Sequence, residues 1–377
     1  MDLQHHAGRA PLVPVLLSDS SMRLACSLTV ALAFVACSDP PEPFHPWELE
    51  VLTPSQGFSL RVPAFEVPAG HESQNCYFVR VPDLYAGADV LIDQVKTAIN
   101  PGSHHMNVFR VKTLVDLRPE DGVPIKLGDY DATVIEGADD YQHNPCWQSS
   151  NWADWPLVAN SQHSDPNDPF TDWKLPANVV IRFQPGEMLM VQTHYVNTSD
   201  QPTEYGAKVG INLYQHQGTG PTQDMGTLFA TQQSIRICQH RPSVTYSGTC
   251  KFPNPVTIIA ANGHFHKRGR QFDMFAWDGV SEQQPPEAAR FYTSQTWDDP
   301  PMTRDLAVTP PDRGGVWWNC NYEWTPPTEV TCDDVNAKDP DQAGDCCYTF
   351  GGNTDIGEHC NVFLYYYPRV DSDVFCN

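Results

Sequence analysis

Residues 188–214 read MLMVQTHYVNTSDQPTEYGAKVGINLY, and the fold class is legible there first. An apolar run over Met188–Val196 leads into the turn signal Asn197-Thr198-Ser199-Asp200, and a second run follows over Ala207–Tyr214. Short Asn, Ser and Asp side chains hydrogen-bond their own backbone in turn conformations, so they end a strand for a physical reason. The unit is strand, turn, strand. His194 sits deep in its first arm, where an unpaired imidazole is costly to bury.

Working outward, the same punctuation recurs. Phe58–Val62, Tyr77–Val81, Val90–Thr97, Met106–Thr113 and Asn178–Phe183 read as strands in the first half. Gln233–Cys238, Val256–His266, Phe272–Trp277, Val316–Trp324 and Asn361–Tyr367 read as strands in the second. Asn100-Pro101-Gly102 and Gln184-Pro185-Gly186 mark further turns. The 34 Pro, 24 Gly and 11% aromatic residues suit many short strands rather than long helices. The expectation is an all-β chain. Asp139–Phe170 reads as a long polar, Trp-containing loop and Gln215–Gln223 as a linker between domains.

A length of 377 residues is enough for two cores of roughly 150 residues each. The expected organisation is a leader over 1–37, a Pro-rich tether over 38–55, and two domains over 56–216 and 217–377. Within the leader, the stretch from Met22 reads MRLACSLTVALAFVAC: one Arg, a short apolar run, then Cys37 after Ala36. That run is too short to cross a bilayer and fits a signal peptide whose true start is Met22. Phe34-Val35-Ala36-Cys37 looks like a bacterial lipobox, which implies lipidation of Cys37; an ordinary cleaved signal is the alternative, because Phe34 stands where Leu is usual. The implied location is exported, on an outer membrane or cell surface, with a periplasmic alternative. The membrane would be met only through the lipid.

A formal charge of −23 repels nucleic acid and anionic membranes, so neither is expected as a partner. Ten cysteines remain after Cys26 and Cys37 are set aside, an even number that reads as a disulfide framework formed in an oxidising compartment. Cys76–Cys146 is the expected bridge of the first domain. Adjacent Cys346 and Cys347 are expected to take different partners, since a vicinal disulfide is strained. No C-x-x-C, G-x-S-x-G, H-E-x-x-H or P-loop occurs, which removes support for zinc ribbons, thioredoxin-like redox sites and hydrolases.

Histidine placement carries the functional signal. His104 and His105 are adjacent in PGSHHMNVFRV, and neighbours on a regular strand point to opposite faces. Both serve one metal only at a strand end or a bulge. His264 and His266 in AANGHFHKRG are two apart, which puts them on one face of a strand as a pair of nitrogen ligands. His143, His163, His216 and His240 offer no such spacing and read as surface or loop residues.

In order, HHM, QTHY, GHFH and EHCNVFLYYYP resemble the motif series of the ascorbate-dependent type II copper monooxygenases, which include peptidylglycine α-hydroxylating monooxygenase and dopamine β-monooxygenase. The resemblance runs from about Cys76 to Cys376. It implies two jelly-roll-like β-sandwiches, each with one copper, separated by a solvent-filled cleft. His104, His105 and His194 would hold the electron-transfer copper; His264, His266 and His359 would hold the oxygen-activating one and be the catalytic set. The implied cofactors are two copper ions, ascorbate or another one-electron donor, and O2. The implied partner is a small-molecule or peptide substrate. The resemblance also implies Cys320–Cys360 and Cys250–Cys376 bridges.

The departures are specific. His359 stands where the family has Met, and a third imidazole favours Cu(II) and zinc over Cu(I). Asn262 and Phe363 stand where the peptide-hydroxylating members have Arg and Tyr, although Asn361 is kept; a glycine-extended peptide is therefore not the expected substrate. Asn361, Phe363 and Asn262 are the expected substrate-binding residues. A copper-binding surface lipoprotein without catalysis is the alternative, and a zinc-bound or metal-free surface module a third reading.

Overall fold

The computed structural model describes residues 47–62, 64–111, 133–135, 155–163, 168–206, 210–328, 330–337, 344–370 and 374–376. Residues 44–377 form one compact unit. The leader, Met22, Cys37, His143 and Cys146 lie outside the described residues.

Among the described residues half are in strands and no helix reaches 7 residues, as expected of an all-β sandwich protein. The first half carries β1 (Gly57–Arg61), β2 (Phe65–Val67), β3 (Glu72–Arg80), β4 (Val90–Ala98), β5 (Ser103–Arg110) and β6 (Thr133–Ile135). It continues with β7 (Leu157–Ser161), β8 (Phe170–Lys174), β9 (Val179–Phe183), β10 (Met188–Val196), β11 (Thr203–Tyr205) and β12 (Gly210–Gln215). The second half carries β13 (Gln223–Asp224), β14 (Gly226–Thr231), β15 (Arg236–Cys238), β16 (Ser243–Lys251), β17 (Thr257–His264) and β18 (Gly269–Trp277). Last come β19 (Arg290–Ser294), β20 (Gly315–Glu323), β21 (Cys347–Phe350), β22 (Gly357–Glu358), β23 (Asn361–Tyr367) and β24 (Phe375–Cys376).

In the first half a sheet of order β1-β12-β4-β9, with β8 also on β4 and β13 of the second half added beside β9, faces a sheet of order β6-β3-β10-β5-β7. Their apolar residues share one core that includes Phe58, Val95, Met106, Phe109, Met190 and Leu213. In the second half β14-β23-β17 faces β19-β18-β20-β16-β24, with a small sheet β15-β21-β22 beside them. Pairing is antiparallel except for β13 on β9 and β21 on β22.

The all-apolar run of β23 has a physical explanation in this arrangement. Side chains alternate across a strand, and here Phe363 and Tyr365 enter the first core while Val362, Leu364 and Tyr366 enter the second. Strand β17 does the same with Ile259 and Ala260 against Ile258 and Ala261, through a bulge between Ile258 and Ala260. The sheet β14-β23-β17 is therefore buried on both faces and ties the two sandwiches together, leaving no solvated face that would demand alternating polar residues.

Four disulfides close the second half: Cys238–Cys347, Cys250–Cys376, Cys320–Cys360 and Cys332–Cys346. Neighbouring Cys346 and Cys347 take different partners, as expected. Cys76 is disulfide-bonded. Each such bridge stabilises by about 2–4 kcal/mol. Several disulfides fit an extracytoplasmic protein, and among the described residues no helix is long and apolar enough to cross a membrane.

One expectation is corrected here. The stretch read as a single polar loop, Asp139–Phe170, contains β7 over Leu157–Ser161, all five residues of which are buried. The apolar Leu157-Val158-Ala159 run pairs with β5 and forms the sheet edge nearest the second half.

Candidate metal centre

Adjacent His104 and His105 reach one site through a bulge. Strand β10 pairs His194 with His105 and then Tyr195 with Ser103, so His104 is the extra residue and the register shifts beside it. An extra residue re-aims a side chain that regular alternation would send to the opposite face. The turn before it needs glycine: Gly102 has φ +92°, and a Cβ there would meet the Tyr205 ring at 2.8 Å. Asn100 accepts the Tyr195 hydroxyl at 2.6 Å and fixes the same corner.

The second pair differs from its expectation. His264 is the last residue of β17, and His266 lies just beyond the strand rather than within it. The buried carboxylate of Glu358 accepts the backbone N–H of His266 at 2.9 Å and of Arg268 at 2.8 Å, pulling the chain out of the ladder. Arg268 lies 3.8 Å from that carboxylate and donates to the Thr354 and Asp355 carbonyls. Burial pushes the Glu358 carboxyl up to about 7. Glu358 thus holds the segments carrying His266 and His359 against each other.

All six histidines are buried. His104 lies at ring-centroid distances of 5.4 Å from His105, 5.1 Å from His194, 4.6 Å from His264 and 5.2 Å from His266. Two sets of ligand nitrogens each converge within 4.8 Å: His104, His105 and His194, and His104, His264 and His266. The first set is the expected triad. In the second, the third nitrogen belongs to His104, while the ring of the expected third residue, His359, lies 5.4 Å from that of His264. His359 lies tilted beside His266, centroids 4.4 Å apart, and beside Phe350 at 5.0 Å.

The cleft is corrected too. The two histidine groups touch, with only about 10 Å³ left in the gap lined by His105, His264, His359, Gln192, Asn361 and Phe363. The physical cause is the sheet β14-β23-β17, packed into both cores, which brings the ends of β17 and β5 together.

The residues fit a metal. Nε2 of His104, His264 and His266 and Nδ1 of His194 are buried without a hydrogen-bond partner within the protein. Leaving such an atom unsatisfied costs about 1–3 kcal/mol. On three of these rings the opposite nitrogen is anchored: His194 Nε2 to Glu72 at 2.8 Å, His264 Nδ1 to Gln162 at 2.6 Å and His266 Nδ1 to the Gly357 carbonyl at 3.2 Å. An anchored nitrogen opposite an open one is the arrangement of a metal-ligating imidazole. Burial, then mutual repulsion, holds His104, His105, His264 and His266 well below the usual imidazole range, keeping them neutral and able to donate.

Among the described residues, no partner of this centre other than the histidines was read from spacing. Glu72 is two residues from Gln74, the cross-strand partner of His194, so it is a diagonal neighbour on the same face. Gln162 follows β7, and Trp297 lies 5.7 Å from His104. Only the Leu157–Ala159 run carries a sequence signal, and it points to β7 rather than to Gln162.

The expected substrate residues are placed as follows. Asn361 lines the gap with Oδ1 unpartnered, and Phe363 lines it while stacking on Phe229 at 5.0 Å. Asn262 is fully engaged: Oδ1 accepts from Asn160 at 3.0 Å and from Gln162, and Nδ2 donates to the Pro300 and Pro301 carbonyls at 3.2 and 3.1 Å. It positions Gln162 rather than presenting a free amide. His163 pairs with Asp299 and His240 with Asp345 near the surface, and His216, in the loop after β12, has a side chain 9% exposed that pairs with Asp93.

No protein-family model matches this chain, and no curated protein matches it.

Proposed function

We propose that the chain is a copper-dependent monooxygenase that inserts one oxygen atom of O2 into a C–H bond. The other atom leaves as water, with electrons from a one-electron donor such as ascorbate and protons from solvent. The observation that carries this reading is the convergence of two histidine triads on His104. An all-imidazole donor set suits copper and zinc alike; the order of the HHM, QTHY, GHFH and EHC motifs is what favours copper.

In this reading His104, His105 and His194 hold one ion and His264 and His266, with His104 beside them, hold the other. Copper bound there supplies one-electron redox chemistry toward O2. The protein contributes the rest. Glu72, Gln162 and the Gly357 carbonyl fix which nitrogen of His194, His264 and His266 faces the centre. Contact between the rings of His104 and His264 offers an electron a path between the two groups without crossing solvent. Burial excludes bulk water that would drain reactive oxygen species.

The approximately 10 Å³ gap favours a second reading, a copper-binding protein without turnover, because it admits nothing larger than water or a diatomic. Metal analysis and oxygen uptake on copper-loaded protein separate the two: two coppers per chain with ascorbate-dependent O2 consumption support the enzyme, and two coppers with none support the binder. Anchoring by a lipid on Cys37 belongs to the same proposal and is tested by mass spectrometry of the exported protein.

A further inference from the structure

A cavity of about 360 Å³ adjoins the centre, walled by the end of β7, the start of β8 and the Pro300–Arg304 segment. Gln162 is part of its wall and also reaches His264, which is not. The cavity therefore stands one side chain away from the histidines, and its volume lies in the range of small-molecule sites.

Its charges are arranged in opposition. Arg304 is the one Arg or Lys in the wall, and Asp168 and Asp299 are the two carboxylates. Arg304 donates through Nη1 to the Asp172 carbonyl at 2.7 Å, keeps Nε buried without a partner, and makes no ion pair among the described residues. A half-buried guanidinium with spare donors is matched by a carboxylate, which it binds through two parallel hydrogen bonds. Asp168 is exposed, and Asp299 is exposed with one oxygen on His163. Both suit an ammonium. Phe170, Pro300 and Met302 supply apolar wall for a side chain.

Net charge narrows the choice further. A chain at −23 repels a simple anion, and a simple cation leaves Arg304 unmatched. We infer that this cavity is a binding site for a small zwitterion of amino-acid size with an apolar side chain, its carboxylate on Arg304 and its ammonium toward Asp168 and Asp299. The site names the substrate class of the proposed enzyme and rests on that reading only for what becomes of the ligand once bound. Arg304 takes the role that Asn262, spent on holding Gln162, does not fill.

The test is calorimetric titration of the copper-loaded full chain with phenylalanine, 3-phenylpropionate and 2-phenylethylamine, the last two each lacking one charge. Phenylalanine is expected to bind at millimolar concentration or below, and each single-charge analogue at least about tenfold more weakly. Arg304→Gln is expected to weaken phenylalanine by about tenfold and to leave 2-phenylethylamine unchanged, with Arg304→Lys between them. Unchanged copper content in both variants shows that the fold is retained. Equal binding of all three probes, an Arg304→Gln variant with full affinity, or no heat from phenylalanine, leucine or methionine overturns the proposal. Zwitterion-selective binding without ascorbate-dependent O2 uptake leaves the pocket standing and sinks the monooxygenase; O2 uptake without selective binding does the reverse.

Discussion

The rings of His104 and His264 lie 4.6 Å apart, one on the bulge of β5 and the other at the end of β17. Two sandwiches thus contribute to one buried centre, and His104 belongs to both of its nitrogen sets.

Shared membership predicts unequal losses among single variants. His194→Ala should release one copper, whereas His104→Ala should weaken both, the His104 ring bridging them as an imidazolate with one nitrogen on each ion, read as bound copper after dialysis. His359→Met should retain both, because His359 lies beside His266 and belongs to neither set. Loss of one ion only in His104→Ala contradicts the shared role.

Gln162 has no direct place among the ligands, yet its Oε1 fixes His264 through Nδ1 at 2.6 Å. Gln162→Ala should lower copper affinity by about 10–100-fold, the usual effect of losing such an anchor. Competition with a chromophoric chelator measures it, and wild-type affinity in the variant contradicts the assigned role. Gln162→Glu, which keeps the acceptor toward His264 but loses the donor to Asn262 Oδ1, should recover part of the loss.

Acid should destabilise the metal-free protein early. His104, His105, His264 and His266 have folded values well below 6.5, so the unfolded chain binds protons first as pH falls. Their contribution is complete above the unfolded value of about 6.5 and is lost as pH falls from there toward the folded values, with a slope approaching about 1.4 kcal/mol per pH unit for each group. Urea denaturation at stepped pH should show this decline, and copper should suppress it. A flat profile across that window contradicts the buried neutral cluster.

Strand β23 predicts the cooperativity of the fold. Phe363 enters one core and Leu364 the other, so Phe363→Ala and Leu364→Ala should each cost about 2–5 kcal/mol. Each should shift one unfolding transition of the whole 44–377 unit. Two separately shifted transitions in calorimetry contradict a shared sheet.

These expectations also mark what was legible in the chain itself. Strands β10 and β23 are recovered at both ends, because a continuous apolar run bounded by Asn or Pro leaves no other reading. The HH pair called for a strand end or a bulge, since regular alternation forbids joint use, and the register shift beside His104 is the second of these. Strand β16 carries no apolar run although its burial alternates, because Ser, Thr and Lys occupy its outward positions and the small Gly248 one of its inward ones, which dilutes the apolar signal. Glu72 and Gln162 act through register and tertiary approach, which a single chain does not spell out. The closed centre was beyond reach for the same reason: the separation of the two histidine groups is set by how β17 and β23 fill both cores.

The most direct test of one shared centre is the electron paramagnetic resonance spectrum of the full chain loaded with Cu(II). A centre built around His104 predicts magnetically coupled ions, with signal intensity well below the copper content measured on the same sample. Full intensity from two isolated Cu(II) ions would show that the histidine groups stand apart and contradict the account.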